Sequence, residues 1–226
     1  MFIIMKDKYV RMSNPVVAPS SSEPIDGTVS SSLIRGNNVL ITYRSDTERV
    51  RDYLTDLVVD DSIRRKHVLH VSTEESSAEL ISRWYQRSNR FPEHLAIVSS
   101  HDELPPTAEH SRTDTMQRYP HLAPVHDPSD LTEIGTTVSS LLKERWKTSA
   151  NRTIVDFNCL GAFLAHCDRE QLFRFLHILS SRIEQANATC YYGIDVRRCD
   201  PASVRLFGEL VDEVVCIDTD EVRLLR

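Results

Sequence analysis

The sequence predicts a three-layer α/β domain, with a mainly parallel central sheet between two layers of helices. Three observations carry this. Short apolar runs alternate with one-sided helical stripes from residue 38 onward, the order that crossover units produce. The apolar runs are near-continuous, as strands are when helices cover both faces of a sheet. The chain has 226 residues, 40% of them apolar, which suits one such domain plus a tail.

Residues 1–36 are expected to be a disordered tail, with the α/β domain over 37–226. The stretch MSNPVVAPSSSEPIDGTVSSS is rich in Ser and Pro and lacks periodicity, so it buries too little apolar surface to offset the ordering of its backbone. Met5 and Met12 offer alternative starts.

Val39–Thr42 reads as the first strand. Residues 46–59 follow with Val50, Tyr53, Leu54, Leu57 and Val58 on one helical face. His67–Val71 is a second strand, and a helix over about 76–87 is expected to bury Ala78, Ile81, Trp84 and Tyr85. Leu95–Val98 is a third strand. Residues 100–127 break the rhythm and read as an irregular loop, an insertion with no clear period.

The pattern resumes with a capped start at Asp130-Leu131-Thr132 and a face of Leu131, Ile134, Val138, Leu141 and Leu142. Thr153–Phe157 is a fourth strand. A long helix over about 169–187 carries Leu172, Leu176, Leu179 and Ile183 in register, and Cys190–Ile194 is a fifth strand. Asp200-Pro201 reads as an N-cap with a first-turn proline. Val214–Ile217 and Val222–Leu225 read as a terminal antiparallel hairpin.

Composition narrows the function classes. A net charge of −6 and a pI near 5.8 argue against a general nucleic-acid binder. The basic residues are 22 Arg and 5 Lys, which fits either a GC-rich genome or Arg clusters for carboxylate or phosphate. Five cysteines without CxxC spacing point to a reducing, intracellular setting and to buried thiols rather than a metal site. No run approaches the ~20 apolar residues of a membrane span. The start, MFIIMKDKYV, is too short for a signal-peptide core, so the expected location is cytoplasmic.

Ligands in such sheets bind beyond the carboxyl ends of the strands. Those ends are Thr42–Thr47, Ser72–Ser76 and Asp156–Asn158. In order and character, these segments resemble the KaiC/RecA-type branch of P-loop ATPases. Val71-Ser72-Thr73-Glu74-Glu75-Ser76 is similar to that family's glutamate-pair segment, and Thr153-Ile154-Val155-Asp156 to its metal-site strand. DPSDLTEIG (127–135) and Phe173-Arg174-Phe175-Leu176-His177 resemble the haloarchaeal set of degenerate KaiC-like proteins. The resemblance covers about residues 38–218. It implies a RecA/KaiC-like fold, an archaeal source and assembly or docking with a related protein.

The departures from that family are chemical. A phosphate loop needs G-x-x-x-x-G-K-[ST], whose glycines let backbone N–H groups converge on the anion and whose lysine adds charge. Here Thr42 and Thr47 take the glycine positions, Glu48 the lysine and Arg49 the hydroxyl residue. Asp46 and Glu48 are expected to occupy the helix N-terminus themselves. Arg44, Ser45 and Thr47 are the remaining candidates for nucleotide contact. Glu74, Glu75 and Asp156 are read as vestigial catalytic candidates. The glutamates are expected in the first turn of a helix. Asp156 is expected to bond to Arg44, Ser45 or Thr47.

Other groupings carry less. His67 and His70, three apart on a strand, point to opposite faces and cannot chelate together. In His166-Cys167-Asp168 the aspartate reads as a helix cap. His101, His110, His121 and His126 lack metal-ligand spacing. Phe173, Phe175 and Ile178 widen the apolar face of the long helix, which fits either core burial or a partner.

The reading is therefore a non-hydrolysing regulatory or protein-interaction module, with signalling implied by the resemblance alone. No cofactor and no metal are expected. The alternatives are an ATPase that binds ATP and Mg²⁺ through an unorthodox loop, using Arg44, Glu75 and Asp156, and an accessory protein that touches single-stranded DNA in recombination.

Overall fold

The computed structural model describes residues 34–44, 48–59, 66–88, 92–100, 121–146, 152–218 and 222–225. In chain order the elements are β1 (Asn38–Tyr43), α1 (Glu48–Val58), β2 (Lys66–Ser72), α2 (Ser77–Ser88), β3 (His94–Ser99), β4 (His121–Pro124), α3 (Leu131–Trp146), β5 (Arg152–Phe157), α4 (Leu160–His166), α5 (Arg169–Gln185), β6 (Thr189–Asp195), α6 (Pro201–Gly208), β7 (Glu213–Ile217) and β8 (Val222–Leu224). The strands form one sheet in the order β4-β3-β2-β5-β6-β1-β7-β8. Its pairings are parallel, except that β8 closes the hairpin antiparallel to β7.

Period-2 alternation divides the core in two. Val39 and Ile41 of β1, Val68 of β2 and Ile154 of β5 face α1 and α2, where they meet Leu54, Leu57, Leu80 and Trp84. Leu40, Leu69, Val71, Val155 and Phe157 face the other way, into α3, α4, α5 and α6. Each such side chain, fully buried, contributes about 1.5–3 kcal/mol, so both layers hold the same sheet. The expected three-layer class, mainly parallel sheet and terminal hairpin are all present.

The caps follow the sequence. Asp130 accepts from the amides of Thr132 and Glu133 at the start of α3, both at 2.9 Å. Asp168 forms a capping box with Gln171 at α5. Asp200 accepts from the amides of Ala202 and Ser203, with Pro201 in the first turn of α6.

Four expectations are corrected. First, the domain begins before residue 37. Ile34 is buried in the α1/α2 layer. Glu213 accepts from the amides of Arg35 and Gly36, and Asp212 from those of Asn37 and Asn38. Two consecutive carboxylates from far along the chain thus hold four successive N–H groups, a contact with no local signal. Residues 1–33 of the expected tail lie outside the described residues.

Second, α2 is rotated from its expected face. Ser77, Leu80 and Trp84 are buried and Ile81 is half-buried, whereas Ala78 and Tyr85 are exposed. Leu80 outcompetes the smaller Ala78 for the sheet, and the phase follows it. Third, the end of the irregular 100–127 segment is a strand. His121–Pro124 pairs parallel to β3 at the sheet edge, too short to show a period. Residues 101–120 lie outside the described residues.

Fourth, α4 has no counterpart in the sequence reading. It spans seven residues, and its N-cap, Cys159, makes no side-chain capping bond. Neither a cap nor a full stripe announces it. Of the extra apolar residues on α5, Phe173 and Phe175 pack against the core, and Ile178 remains 56% exposed.

Candidate functional site

From β2 the chain moves outward through α2 to β3, and from β5 it moves the opposite way through α4 and α5 to β6. Such a reversal opens a crevice between the carboxyl ends of the two strands. A cavity of about 750 Å³ lies there, lined by the ends of β1, β2, β5 and β6 and by side chains of α1 and α2.

The local sequence builds its rim. At the end of β2 the Ser72 hydroxyl accepts from the amides of Glu74 and Glu75, at 3.3 and 2.9 Å. Ser76 then caps α2: its Oγ accepts from the Glu79 amide, and the Glu79 carboxylate accepts from the Ser76 amide. Glu74 and Glu75 therefore sit in the turn before α2 rather than in its first helical turn, because Ser72 captures their amides. Glu79 is the acidic residue of that first turn.

Four carboxylates of the cavity, Glu74, Glu75, Asp156 and Asp195, are engaged by side chains of the same protein. Glu75 receives both terminal nitrogens of Arg83, at 2.5 and 2.7 Å. That fork-to-fork geometry is the strong form of an arginine–carboxylate pair. Glu74 pairs with Arg198 at 3.1 Å, joining the β2 turn to the loop after β6. Asp195 accepts from the amide and guanidinium of Arg197. Burial pushes the Asp195 carboxyl up, but the bonds and charge of Arg197, with Arg198 behind it, outweigh burial and hold it below the usual range.

Asp156 meets His70, its cross-strand neighbour, with Oδ2 2.8 Å from Nδ1. Its partner among the described residues is thus an imidazole of β2 rather than Arg44. His70 Nε2 is buried and 3.9 Å from Glu75 Oε2. A carboxylate-oriented imidazole with its second nitrogen toward a cavity can relay a proton. Cys159 lies beneath, donating to the Val71 carbonyl. Burial, with Asp156 and Glu74 nearby, pushes its thiol up and makes it a poor nucleophile.

Of the phosphate-loop candidates for nucleotide contact, only Arg44 lies among the described residues. Arg44 is exposed beyond β1 and does not line the cavity. Ser45 and Thr47, with Asp46, lie outside the described residues, and Glu48 is the first residue of α1. Thr42, at the first glycine position, is buried and donates its hydroxyl to the Val215 carbonyl of β7 at 3.3 Å. Asn158 lies over Gly193, where any β-carbon would overlap its amide oxygen.

The sequence reading brought Glu74, Glu75 and Asp156 to one site, and the structure does the same. It missed His70, Arg83, Arg198 and Asp195 as site residues, and named Asn158 only as part of a strand end. Arg83 carried a faint signal, since it lies two helical turns beyond Glu75. His70 meets Asp156 across 86 residues, through register alone.

The architecture recurs among solved structures. One from Pyrococcus horikoshii OT3, the subject of a structural study under the project label PH0250, has a TM-score of 0.54 at 12% identity, over 85% of this chain and 88% of that one. The flagellar accessory protein FlaH from Methanocaldococcus jannaschii gives 0.46 at 12% identity, over 84% and 78%. At such identity the likeness to the Pyrococcus protein is one of fold, and the fold is RecA/KaiC-like. No curated protein matches the chain. Residues 36–217 match a family of unknown function, and the chain belongs to that family, DUF7504.

Proposed function

We propose that the protein is a non-hydrolysing RecA/KaiC-like module that acts by protein contact, in the cytoplasm and in archaeal signalling. One observation carries this reading: the carboxylates that an ATPase would use are tied to the chain's own side chains. Glu75, one of the pair of glutamates that the family resemblance offers for activating a water, is clasped by Arg83. Asp156, in the metal-site position, holds His70. Turnover would have to break these pairs first, and the stretch after β1 carries neither the glycines nor the lysine of a phosphate loop. Exposed Ile178, in a groove between α3 and α5, is an apolar contact available to a partner.

A second reading draws on the cavity itself. Its volume, about 750 Å³, lies within the usual range of small-ligand sites, roughly 300–1,000 Å³. That reading is an atypical nucleotide site. Thermal shift and phosphate release with Mg-ATP separate the two. We expect no turnover and no shift, whereas a ligand at 100 times its dissociation constant would add about 2.7 kcal/mol. A clear shift with ATP turnover, both lost in Asp156→Ala, overturns the non-hydrolysing reading.

A further inference from the structure

At the opposite end of the sheet from the cavity, the amino ends of β2 and β3 bring three ligating side chains together. The register pairs His67 with His94. His67 shares its strand face with Leu69 and Val71, so it turns away from His70 and toward the α3 layer. The two rings meet edge to face, with centroids 4.7 Å apart and planes at 81°. Glu93, placed by the hydrogen bond its backbone N–H donates to the Lys66 carbonyl, brings Oε1 to 4.0 Å from His94 Nε2. One ligand atom from each of the three lies within 4.8 Å of the other two.

The surroundings suit an ion. His67 is 3% exposed and anchors the group in the core. The His94 and Glu93 side chains are 28% and 44% exposed, so an ion can enter from solvent and keep a water ligand. A cavity of about 20 Å³ borders both imidazoles, against Leu141, Leu142 and Thr153. It has room for one small species. Two imidazoles and one carboxylate form a donor set that favours zinc and its neighbours over magnesium. Bonds of ~2.0–2.2 Å would draw the three atoms together, a movement that the two exposed side chains can supply.

We propose that His67, Glu93 and His94 bind a divalent transition-metal ion, zinc by preference, with solvent in the fourth position. The ion would clamp the amino ends of β2 and β3, remote from the candidate pocket and independent of how that pocket is used.

The test is titration of metal-free full-length protein with ZnCl₂ against a chromophoric chelator, with histidine NMR resonances as a second readout. One equivalent is expected to bind, Zn²⁺ but not Mg²⁺ raising the melting temperature. Two of the nine histidines should shift on stoichiometric loading. His94→Ala and Glu93→Gln should each weaken binding by more than ~10-fold, the lower bound set by the loss of mere outer-shell support. His126→Ala, at an exposed histidine paired with Glu133, should leave binding unchanged. Absence of stoichiometric Zn²⁺ binding overturns the proposal, as does binding equally tight in wild type, His94→Ala and Glu93→Gln. If either variant fails to fold, the identity of the shifted histidines in wild type decides.

Discussion

At the scale of single residues, the molecule spends charge on itself. Glu75, Glu74, Asp195 and Asp156 each face a basic or imidazole side chain of the same chain. A carboxylate so engaged is a weak recruit for a metal or a water unless its partner moves. The same economy applies to small residues. Gly193 is a strand glycine because Asn158 lies where its side chain would be, and the Tyr43 hydroxyl donates to that same Asn158 oxygen at 3.4 Å. Gly193→Ala should therefore displace Asn158 from the cavity wall and cost about 1–3 kcal/mol, the usual cost of overpacking. Urea denaturation checks this, and an unchanged midpoint would mean that Asn158 moves aside freely.

At the scale of elements, helices are rotated by their largest apolar residues and started by their side-chain caps. α2 shows both. Ser76 and Glu79 fix its start, and Leu80 and Trp84, each 1% exposed, fix its rotation. Trp84→Ala should cost about 3–5 kcal/mol. Tyr85→Ala, at a side chain 55% exposed, should stay within about 0.5 kcal/mol, as surface changes usually do. The sequence stripe had put both aromatics in the core, so the two midpoints, measured side by side, decide between the phases. Parity between the variants would restore the original one.

At the scale of the whole molecule, one sheet serves two cores. Leu80 belongs to the α1/α2 layer and Leu176 to the α5 layer, yet both rest on strands that present alternate residues to each side. Neither layer can melt without stripping a face of the shared sheet. Leu80→Ala and Leu176→Ala should each cost about 2–5 kcal/mol and lower a single common unfolding midpoint, followed by circular dichroism and tryptophan fluorescence together. Two separated transitions in either variant would show that the layers are independent.

The sequence by itself determined the α/β class, every strand run among the described residues except β4, the hairpin and the caps at Asp130, Asp168 and Asp200. These depend on periodicity and on local side chain to backbone bonds, which a linear reading can see. It also placed Glu74, Glu75 and Asp156, though not Asp195, at one edge of the sheet, because strand ends in such a fold converge there. Only the tertiary structure decided who meets them. His70 reaches Asp156, and His67 reaches His94, through strand register; Arg198 reaches Glu74 across the mouth of the cavity. The start of the domain likewise depended on Asp212 and Glu213 closing on residues 35–38. Pairings of that kind follow from which strands lie side by side, a choice made by global packing that leaves no trace in local spacing.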